Sequence, residues 1–348
     1  MKTVKVSFED SIAKEVVAAG KCVGCGTCVL VCPFGCLEYI SEKPSLVKEC
    51  KVCGICAQAC PQYVFPLPDI ENFVFGRERK TSEDFGIYRR LALARAMEGQ
   101  ILKVCQDGGA VTALLLSALK NGFIDGALVA KSEQKRPFYP HPTLATTVDE
   151  ILQAAGTKYF YSPNILAIAE AIKQRKSNVA FVGTPCQIRA IRKMQFVGLK
   201  KYVAPLKVLI GLACSECFVY EGLMKNHIRG KLGVDPKRVK KINIKGKMLV
   251  TLDSEMVAIP LAEAKQYVRK NCYYCNDFSS ELADISAGGM GLEGWTLIII
   301  RTDKGEELFS MAEKAEAITT RNVSEEPNTL NLLVKLSKKK QAVGKEQT

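Results

Sequence analysis

The chain has 348 residues and 15 cysteines, and its 49 Lys and Arg against 36 Asp and Glu give a formal net charge of +13. Cysteine is too sparse for a small disulfide-stapled scaffold, and 2 histidines exclude a histidine-rich metal site and argue against a histidine general base. The first residues predict no secretory signal, and no apolar run is long enough to span a bilayer. The cysteines are therefore expected in a reducing compartment, the cytoplasm, where metal binding or catalysis is more common than disulfides.

The first feature in chain order is a duplicated cysteine motif, in which both halves read C-x2-C-x2-C-x3-C-P. The first half comprises Cys22, Cys25, Cys28 and Cys32 with Pro33, and the second comprises Cys50, Cys53, Cys56 and Cys60 with Pro61. An iron–sulfur cube needs four thiolates, and in this motif the fourth cysteine of each half ligates the cluster of the other half. The spacing therefore predicts two 4Fe–4S clusters, cluster I on Cys22, Cys25, Cys28 and Cys60, and cluster II on Cys50, Cys53, Cys56 and Cys32.

Zinc is the alternative for these cysteines, because paired C-x2-C loops also bind zinc. A zinc site uses four ligands, however, whereas the duplicated pattern offers eight. The motif resembles the bacterial-type two-cluster ferredoxin domain, and the resemblance implies a ferredoxin-like α+β fold and a role in electron transfer. Pro66 and Pro68 disfavour a helix and predict a linker, so this domain is expected to span residues 1–68.

Residues 69–320 alternate strand-like and helix-like segments, a pattern typical of an α/β sheet domain. Strands are predicted over 124–131, 178–182, 207–213 and 295–301. One helix is predicted over 109–121, a second is predicted to begin at residue 162, and a third is predicted to follow residue 187. Beyond residue 321 the chain becomes polar and rich in lysine, so 321–348 is expected to be a basic, solvated C-terminal tail with at most a short amphipathic turn. The predicted fold is a ferredoxin-like α+β N-terminal domain followed by a larger α/β domain that binds a flavin.

A second group of cysteines lies in the larger domain. Cys186 and Cys214 each follow a predicted buried strand, so both are expected at the same edge of the sheet. Cys272 and Cys275 form a further C-x2-C loop. Four thiolates from such loops could hold a third cluster, and the alternatives from spacing alone are zinc or simple buried thiols.

Four segments carry a resemblance to a known family: 105–116 (CQDGGAVTALLL), 181–187 (FVGTPCQ), 211–218 (GLACSECF) and 270–296 (KNCYYCNDFSSELADISAGGMGLEGWT). Together they are similar to the family of coenzyme F(420) hydrogenase/dehydrogenase beta subunits. The resemblance implies FAD, one further 4Fe–4S cluster and coenzyme F(420) as the substrate. It implies cluster ligands at Cys186, Cys214, Cys272 and Cys275, with Cys217 as the alternative to Cys214. The leftover Cys36 and Cys105 are expected to be packing residues.

The flavin site is predicted in three turns of the chain. Gly108 and Gly109 at a helix N-terminus form a turn suited to a pyrophosphate, with Thr112 one turn further on. The remaining predicted contacts, favoured by the resemblance, are Lys158, Tyr159, Ser162, Gly183, Thr184, Pro185 and Gln187. The alternative is that all three segments are ordinary turns that need small residues. No catalytic side chain is predicted, because hydride transfer is the chemistry of the cofactor.

The fusion of a ferredoxin domain to a chain of this kind resembles the electron-input subunits of F(420)H2 dehydrogenases, which pass electrons to a quinone or phenazine. The resemblance implies oxidation of F(420)H2 by hydride transfer to FAD, and transfer of single electrons through the clusters to a membrane complex. The chain would then be cytoplasmic and peripheral to the membrane through partner subunits. The alternatives are a soluble F(420):ferredoxin oxidoreductase or ferredoxin-dependent flavoenzyme, and a non-catalytic iron–sulfur carrier. No nucleic-acid motif accompanies the basic charge, so no nucleic-acid partner is expected.

Overall fold

The computed structural model describes residues 5–346, with side chains as far as residue 342. The strands are β1 Leu37–Ile40, β2 Lys43–Leu46, β3 Arg90–Ala96, β4 Gly126–Ser132, β5 Pro140–Ala145, β6 Val179–Gly183, β7 Leu206–Leu212, β8 Lys241–Lys245, β9 Lys247–Thr251, β10 Met256–Pro260, β11 Ile285–Gly288, β12 Thr296–Ile300 and β13 Ile318–Arg321. The α-helices are α1 Thr27–Leu30, α2 Ile55–Ala59, α3 Leu67–Phe75, α4 Gly99–Val104, α5 Ala110–Lys120, α6 Val148–Gln153, α7 Ile168–Lys173, α8 Pro185–Phe196, α9 Lys200–Val203, α10 Leu261–Lys265, α11 Asp303–Lys314 and α12 Pro327–Glu346. Two π-helical segments span Glu9–Ala18 and Glu221–Lys231, and 3₁₀ turns span Asn164–Ala167, Pro236–Arg238, Lys270–Tyr274 and Val323–Glu325.

The cysteine-rich region, residues 5–66, folds around a small hairpin and two single-turn helices. Strands β1 and β2 pair antiparallel, with Leu37 opposite Leu46. Helices α1 and α2 both begin after a glycine with positive φ, Gly26 at 80° and Gly54 at 72°, a conformation that residues with a side chain rarely adopt. The two halves of the duplicated motif therefore share one local structure, a cysteine loop followed by a short helix.

A mixed eight-stranded sheet forms the centre of the larger domain in the described part of the chain, in the order β13-β3-β12-β11-β7-β6-β4-β5. Strands β11, β7, β6 and β4 are parallel to one another, and the outer pairings are antiparallel. Every residue of β6 is buried, as expected for a parallel strand covered on both faces. The carboxyl ends of β6 and β7 meet at one edge, where Gly183 is opposite Gly211.

Helices cover both faces of this sheet. On one face α5 and α11 pack around Leu114 and Phe309, which are fully buried. On the other face Ile188 of α8 shares a hydrophobic cluster with Val23 and Ala59 of the cysteine-rich region. Alternate strand residues contribute to the two clusters, because side chains of a strand point to opposite faces in turn. The cysteine-rich region is thus docked on the sheet through apolar contacts.

A separate antiparallel sheet in the order β10-β9-β8 extends from the larger domain. Its inner face packs against the segment Glu221–Lys231 around the fully buried Leu223 and Met248. Sequence reasoning missed this sheet, and it also missed β3, β5, β11 and β13.

Two segments differ from the sequence expectation. The expected linker forms helix α3, because Pro68 lies in its first turn, where a helix needs no backbone N–H. The tail expected over 321–348 begins at the last residue of β13 and contains the long helix α12, in which Leu333 is fully buried beside Trp295 and Leu297. Its exposed Lys335, Lys338 and Lys339 therefore belong to the polar face of an amphipathic helix. Residues 347 and 348 lie outside the described part, and the predicted domain boundaries stay predictions.

The predicted strands over 124–131, 178–182, 207–213 and 295–301 correspond to β4, β6, β7 and β12, and the helix predicted over 109–121 corresponds to α5. The alternation of strands and helices thus predicted a mixed α/β domain correctly. Within residues 5–346, none of the helices combines the length and the hydrophobicity that crossing a membrane requires.

Candidate functional site

Two cavities in the cysteine-rich region are lined by the cysteines of the duplicated motif. Each has an empty volume of about 330 Å³, part of it open to solvent. One is lined by Cys22, Cys25, Cys28 and Cys60. The other is lined by Cys32, Cys50, Cys53 and Cys56, with the leftover Cys36 beside them. The fourth cysteine of each half thus lies with the first three cysteines of the other half. The ligand sets predicted for clusters I and II depend on this exchange of the fourth cysteine.

Backbone donors point at the sulfur atoms of both cavities. Three N–H groups donate to cysteine Sγ atoms at 3.3–3.4 Å: Phe8 to Cys50, Cys36 to Cys32 and Gln62 to Cys60. Such donors stabilise thiolate charge, and hydrogen bonds to the sulfurs are one determinant of cluster potential. The donor set, four thiols around each cavity with N–H groups behind them, fits an iron–sulfur cluster.

Burial favours the protonated form of three of these thiols. It raises the pKa of Cys25 to about 12 and the pKa values of Cys56 and Cys60 to about 11. Cysteine binds metals as the thiolate, so occupation of either cavity would release protons. In residues 5–346, no three His, Cys, Asp or Glu side chains lie close enough together to share a single metal ion.

Five further cysteines gather at the edge where β6 and β7 end. We call them the sheet-edge cysteines, and they are Cys186, Cys214, Cys217, Cys272 and Cys275. Cys186 lies in the first turn of α8 directly after β6, and Cys214 follows β7. Because β6 and β7 are parallel neighbours, the expectation that these two cysteines share one edge is confirmed.

Cys217 lies inside this group, although it was predicted only as an alternative ligand. Its N–H donates to Sγ of Cys272 at 3.4 Å, and its side chain is 7% exposed. The neighbouring Cys214 thiol raises the pKa of Cys217 well above its usual range. The group therefore contains one cysteine more than a cluster needs, and the choice of Cys214 over Cys217 stays a prediction.

Two cations that sequence reasoning missed lie against the sheet-edge cysteines. The backbone of Arg269 donates to the Cys217 carbonyl and accepts from the Cys272 N–H, both at 2.9 Å. Lys340 of α12 donates to the Cys272 carbonyl at 2.9 Å and to the carbonyl of Ser215. Arg269 precedes the C-x2-C loop by three residues, so its position was a usable signal. Lys340 is 68 residues from Cys272, and no local pattern pointed to it.

The three turns predicted to bind flavin form one continuous region beside the sheet edge. Gly109, with φ of 71°, begins α5, and Thr112 is buried in the first turn of that helix. Burial and the nearby Asp107 carboxylate raise the pKa of Tyr159, so its segment adjoins the Gly108 turn. Nε2 of Gln187 donates to the Ser162 carbonyl, which ties the same segment to the start of α8.

Some of these residues also have structural roles. A Cβ on Gly108 would lie 2.6 Å from the Ala94 carbonyl oxygen and 2.8 Å from the Thr296 nitrogen, so close packing against β3 and β12 already requires glycine. The Lys158 ammonium donates to the carbonyls of Ala155 at 2.8 Å and Gly156 at 3.1 Å, just beyond the end of α6. Flavin contacts of Gly108 and Lys158 therefore stay predictions.

The start of α8 has an N-terminal cap built from its own sequence. Thr184 precedes the helix, Pro185 lies in its first turn, and Oε1 of Gln187 accepts from the Thr184 N–H at 3.3 Å. This cap fixes the turn after Gly183 and with it the position of Cys186. Nothing in the sequence indicated a second cation near the flavin turns, Lys241 of β8. Its ammonium reaches the turn before α5, where it donates to the Gln106 carbonyl at 2.7 Å.

Models of two protein families match the chain. The N-terminal and C-terminal models of the coenzyme F(420) hydrogenase/dehydrogenase beta subunit match residues 91–169 and 176–326. A 4Fe-4S binding domain model matches residues 15–38. These matches cover most of residues 91–326 and the first half of the duplicated cysteine motif.

Curated relatives agree with these matches. The chain is 39% identical over 260 residues to the beta subunit of the coenzyme F(420) hydrogenase of Methanothermobacter thermautotrophicus, covering 73% of this chain and 92% of that one. It is 35% identical over 327 residues to the coenzyme F(420)-dependent sulfite reductase of Methanocaldococcus jannaschii, covering 89% of this chain but only 48% of that protein. It is 29% identical over 314 residues to a subunit of the F(420)H2 dehydrogenase of Methanosarcina mazei, covering 85% and 84%.

A solved structure shares the fold. A chain of the F(420)-reducing NiFe hydrogenase complex from Methanosarcina barkeri superposes with a TM-score of 0.72 and 34% identity, over 77% of this chain and 94% of that one. Fold and site together define a chain in which a 4Fe–4S binding domain is joined to a mixed α/β domain. The chain belongs to the family of coenzyme F(420) hydrogenase/dehydrogenase beta subunits, which confirms the resemblance seen in its motifs.

Proposed function

We propose that this chain is the F(420)H2-oxidising, electron-input subunit of an oxidoreductase complex, with one FAD and three 4Fe–4S clusters. The observation that carries the proposal is the succession of sites along the molecule. The flavin turns adjoin the sheet-edge cysteines, and these adjoin the cavity of cluster I, where Cys25 and Cys186 contact one hydrophobic cluster. The cavity of cluster II shares the cysteine-rich region with that of cluster I.

FAD, when bound, would accept a hydride from F(420)H2 and release electrons singly, which joins a two-electron donor to one-electron carriers. The protein's part is to hold and shield. The N-terminus of α5 presents free N–H groups after Gly109, where a pyrophosphate would be stabilised. The capped start of α8 keeps Cys186 beside the flavin turn, and Cys217 among the sheet-edge cysteines is buried.

Cofactor content of the anaerobically purified chain tests this proposal. Three clusters predict about 12 Fe per chain, and the proposal also requires one FAD and F(420)H2-dependent reduction of a viologen dye. Cys186→Ser should lower the iron content by about 4 per chain, whereas Cys105→Ser, outside every proposed ligand set, should leave it unchanged. About 8 Fe together with zinc would contradict the third cluster. A chain with iron but neither flavin nor turnover would instead be a non-catalytic carrier.

For the acceptor, we propose the partner subunits of a membrane F(420)H2 dehydrogenase, to which the chain would attach peripherally. The match to the F(420)H2 dehydrogenase chain of Methanosarcina mazei supports this, because it extends over 85% of the chain, against 73% for the hydrogenase beta subunit. The higher identity, 39% against 29%, supports a hydrogenase complex instead. Affinity purification of the tagged chain from its own cells distinguishes the two by the partner recovered, either membrane subunits or a NiFe subunit.

A second candidate is delivery of electrons from F(420)H2 to a soluble acceptor such as a ferredoxin or a reductase. The match to an F(420)-dependent sulfite reductase over 89% of this chain and about half of that protein favours it. Turnover with a purified ferredoxin as sole acceptor, faster than with a quinone analogue, would support this candidate and contradict a membrane acceptor.

A further inference from the structure

The junction between the cysteine-rich region and the larger domain contains a buried arginine that the proposed function does not use. Arg269 is 6% exposed and lies just before the 3₁₀ turn that carries Cys272. Its backbone is hydrogen-bonded to Cys217 and Cys272, so its main chain belongs to the sheet-edge group. Its side chain reaches the loop that lines the cavity of cluster I.

Two contacts hold the guanidinium at the loop of cluster I. Nη1 donates to the Val23 carbonyl at 3.2 Å, between Cys22 and Cys25 in sequence. Nε lies 3.0 Å from a carboxylate oxygen of Glu42. The loop is tightly packed here, because a Cβ on Gly24 would lie 2.5 Å from the Glu42 carbonyl oxygen and 2.9 Å from Nη2 of Arg269. Glycine at this position, with φ of +70°, therefore makes room for the guanidinium.

A third contact connects the guanidinium to the sheet-edge cysteines. Its central carbon lies 4.1 Å from the centre of the buried Tyr161 ring, a cation–π geometry. The hydroxyl of Tyr161 lies 4.0 Å from Sγ of Cys186. One permanently charged group thus contacts the loop of cluster I and is linked to Cys186 through Tyr161, and arginine stays charged even when buried.

We propose that Arg269 is a positioning residue that raises the reduction potentials of cluster I and of the sheet-edge cluster while it fixes their separation. The inference rests on the proposed function, since it assumes a cluster at both cysteine groups. Each cluster gains one negative charge when it is reduced, so a nearby fixed cation stabilises the reduced form. Glu42 opposes this effect, because its carboxylate is the anion paired with Arg269.

Two substitutions that should shift the reduction potentials in opposite directions test the inference. In Arg269→Met the potentials of cluster I and the sheet-edge cluster should become more negative, and in Glu42→Gln they should become more positive. Arg269→Lys retains the charge and should restore most of the wild-type potential. The readout is an EPR-monitored redox titration of the anaerobic holoprotein, in which cluster II serves as an internal reference with unchanged potential.

A purely structural clamp would give a different result. If Arg269 only holds the two regions together, the potentials of intact clusters stay unchanged in all three variants, and that outcome overturns the inference. If Arg269→Met loses a cluster, Glu42→Gln decides, because it leaves the arginine in place. Fewer than three clusters in the wild-type chain would contradict the proposed function, whereas three clusters with unshifted potentials would contradict only the role of Arg269.

Discussion

Cys214 and Cys217 are alternative candidates for one of the four proposed ligands of the sheet-edge cluster. Both lie at the edge of the sheet, and Cys217 is the one hydrogen-bonded to Cys272. We expect Cys214→Ser to lose about four Fe per chain and Cys217→Ser to retain them, because the resemblance to the family implies the ligand at Cys214. Iron analysis and EPR of the two single variants provide the measurement, and each variant is the matched control of the other. The reverse result would move the ligand to Cys217.

Lys158 gives a prediction that separates a structural role from a flavin role. Burial lowers the pKa of Lys158 to about 8, below its usual value, so the folded chain binds this proton more weakly than the unfolded chain. The free energy of unfolding should therefore rise with pH between about 8 and 10, by an amount on the order of 2–3 kcal/mol. Anaerobic denaturant unfolding should show a smaller rise in Lys158→Met than in the wild type. Part of the rise remains in the variant, because burial also lowers the pKa of Lys193 to about 8.

The control for Lys158 is the exposed Lys173 at the end of α7, and Lys173→Met should keep the wild-type dependence on pH. If Lys158 contacts the flavin, Lys158→Met also lowers the FAD content of the purified chain, which a helix-end role does not require. An unfolding free energy with the same pH dependence in wild type and Lys158→Met would contradict the assigned pKa.

Single residues divide into those a local pattern can reveal and those it cannot. The duplicated spacing of Cys22–Cys60 was readable because all cluster ligands of that motif lie within one short stretch. Arg269 meets Val23 across 246 residues of sequence, and Lys340 meets Cys272 across 68. Such contacts depend on how whole segments pack, which spacing does not encode.

At the scale of elements, helix α12 closes the sheet-edge cysteines from the outside. Leu333 anchors it against β12, and Lys340 donates to two carbonyls of the cysteine loops. We expect Lys340→Met to make the sheet-edge cluster more sensitive to iron chelators, because these loops lose a cationic donor. The exposed Lys339 is the matched control, and Lys339→Met should behave as the wild type.

Chelator-dependent loss of iron, followed anaerobically by absorbance and EPR, measures this effect for each cluster. Clusters I and II should be unaffected in Lys340→Met, since Lys340 donates to the loops of the larger domain. Equal chelator sensitivity of Lys340→Met and Lys339→Met would show that α12 does not protect the site.

Elements that the sequence predicted are those with a uniform pattern. The apolar sequences of β6 and β12 predict strands that are buried in the interior of a sheet, and both strands are buried. Strand β3 escaped notice because Arg90 and Arg95 interrupt its apolar residues. Helix α12 was mistaken for a tail because its lysines dominate the composition, while only one face carries the leucines that bury it.

At the scale of the whole molecule, the arrangement places the proposed sites in series. The cysteine-rich region docks on α8, whose Lys193 donates to the Cys60 carbonyl and whose first turn carries Cys186. The cavity of cluster II lies at the other end, beside the exposed Phe34 and Leu46. Motifs alone predicted the parts and the family, but the docking of one region on the other required the structure.

The central claim, that F(420)H2 delivers electrons through this chain to its clusters, is tested most directly by an anaerobic titration of the purified holoprotein with F(420)H2. The account predicts bleaching of the flavin absorbance together with EPR signals of reduced 4Fe–4S clusters, at near-stoichiometric F(420)H2. Arg269→Met should show the same flavin bleaching with less reduction of the clusters. Clusters that stay oxidised with F(420)H2, yet become reduced on addition of dithionite, would contradict it.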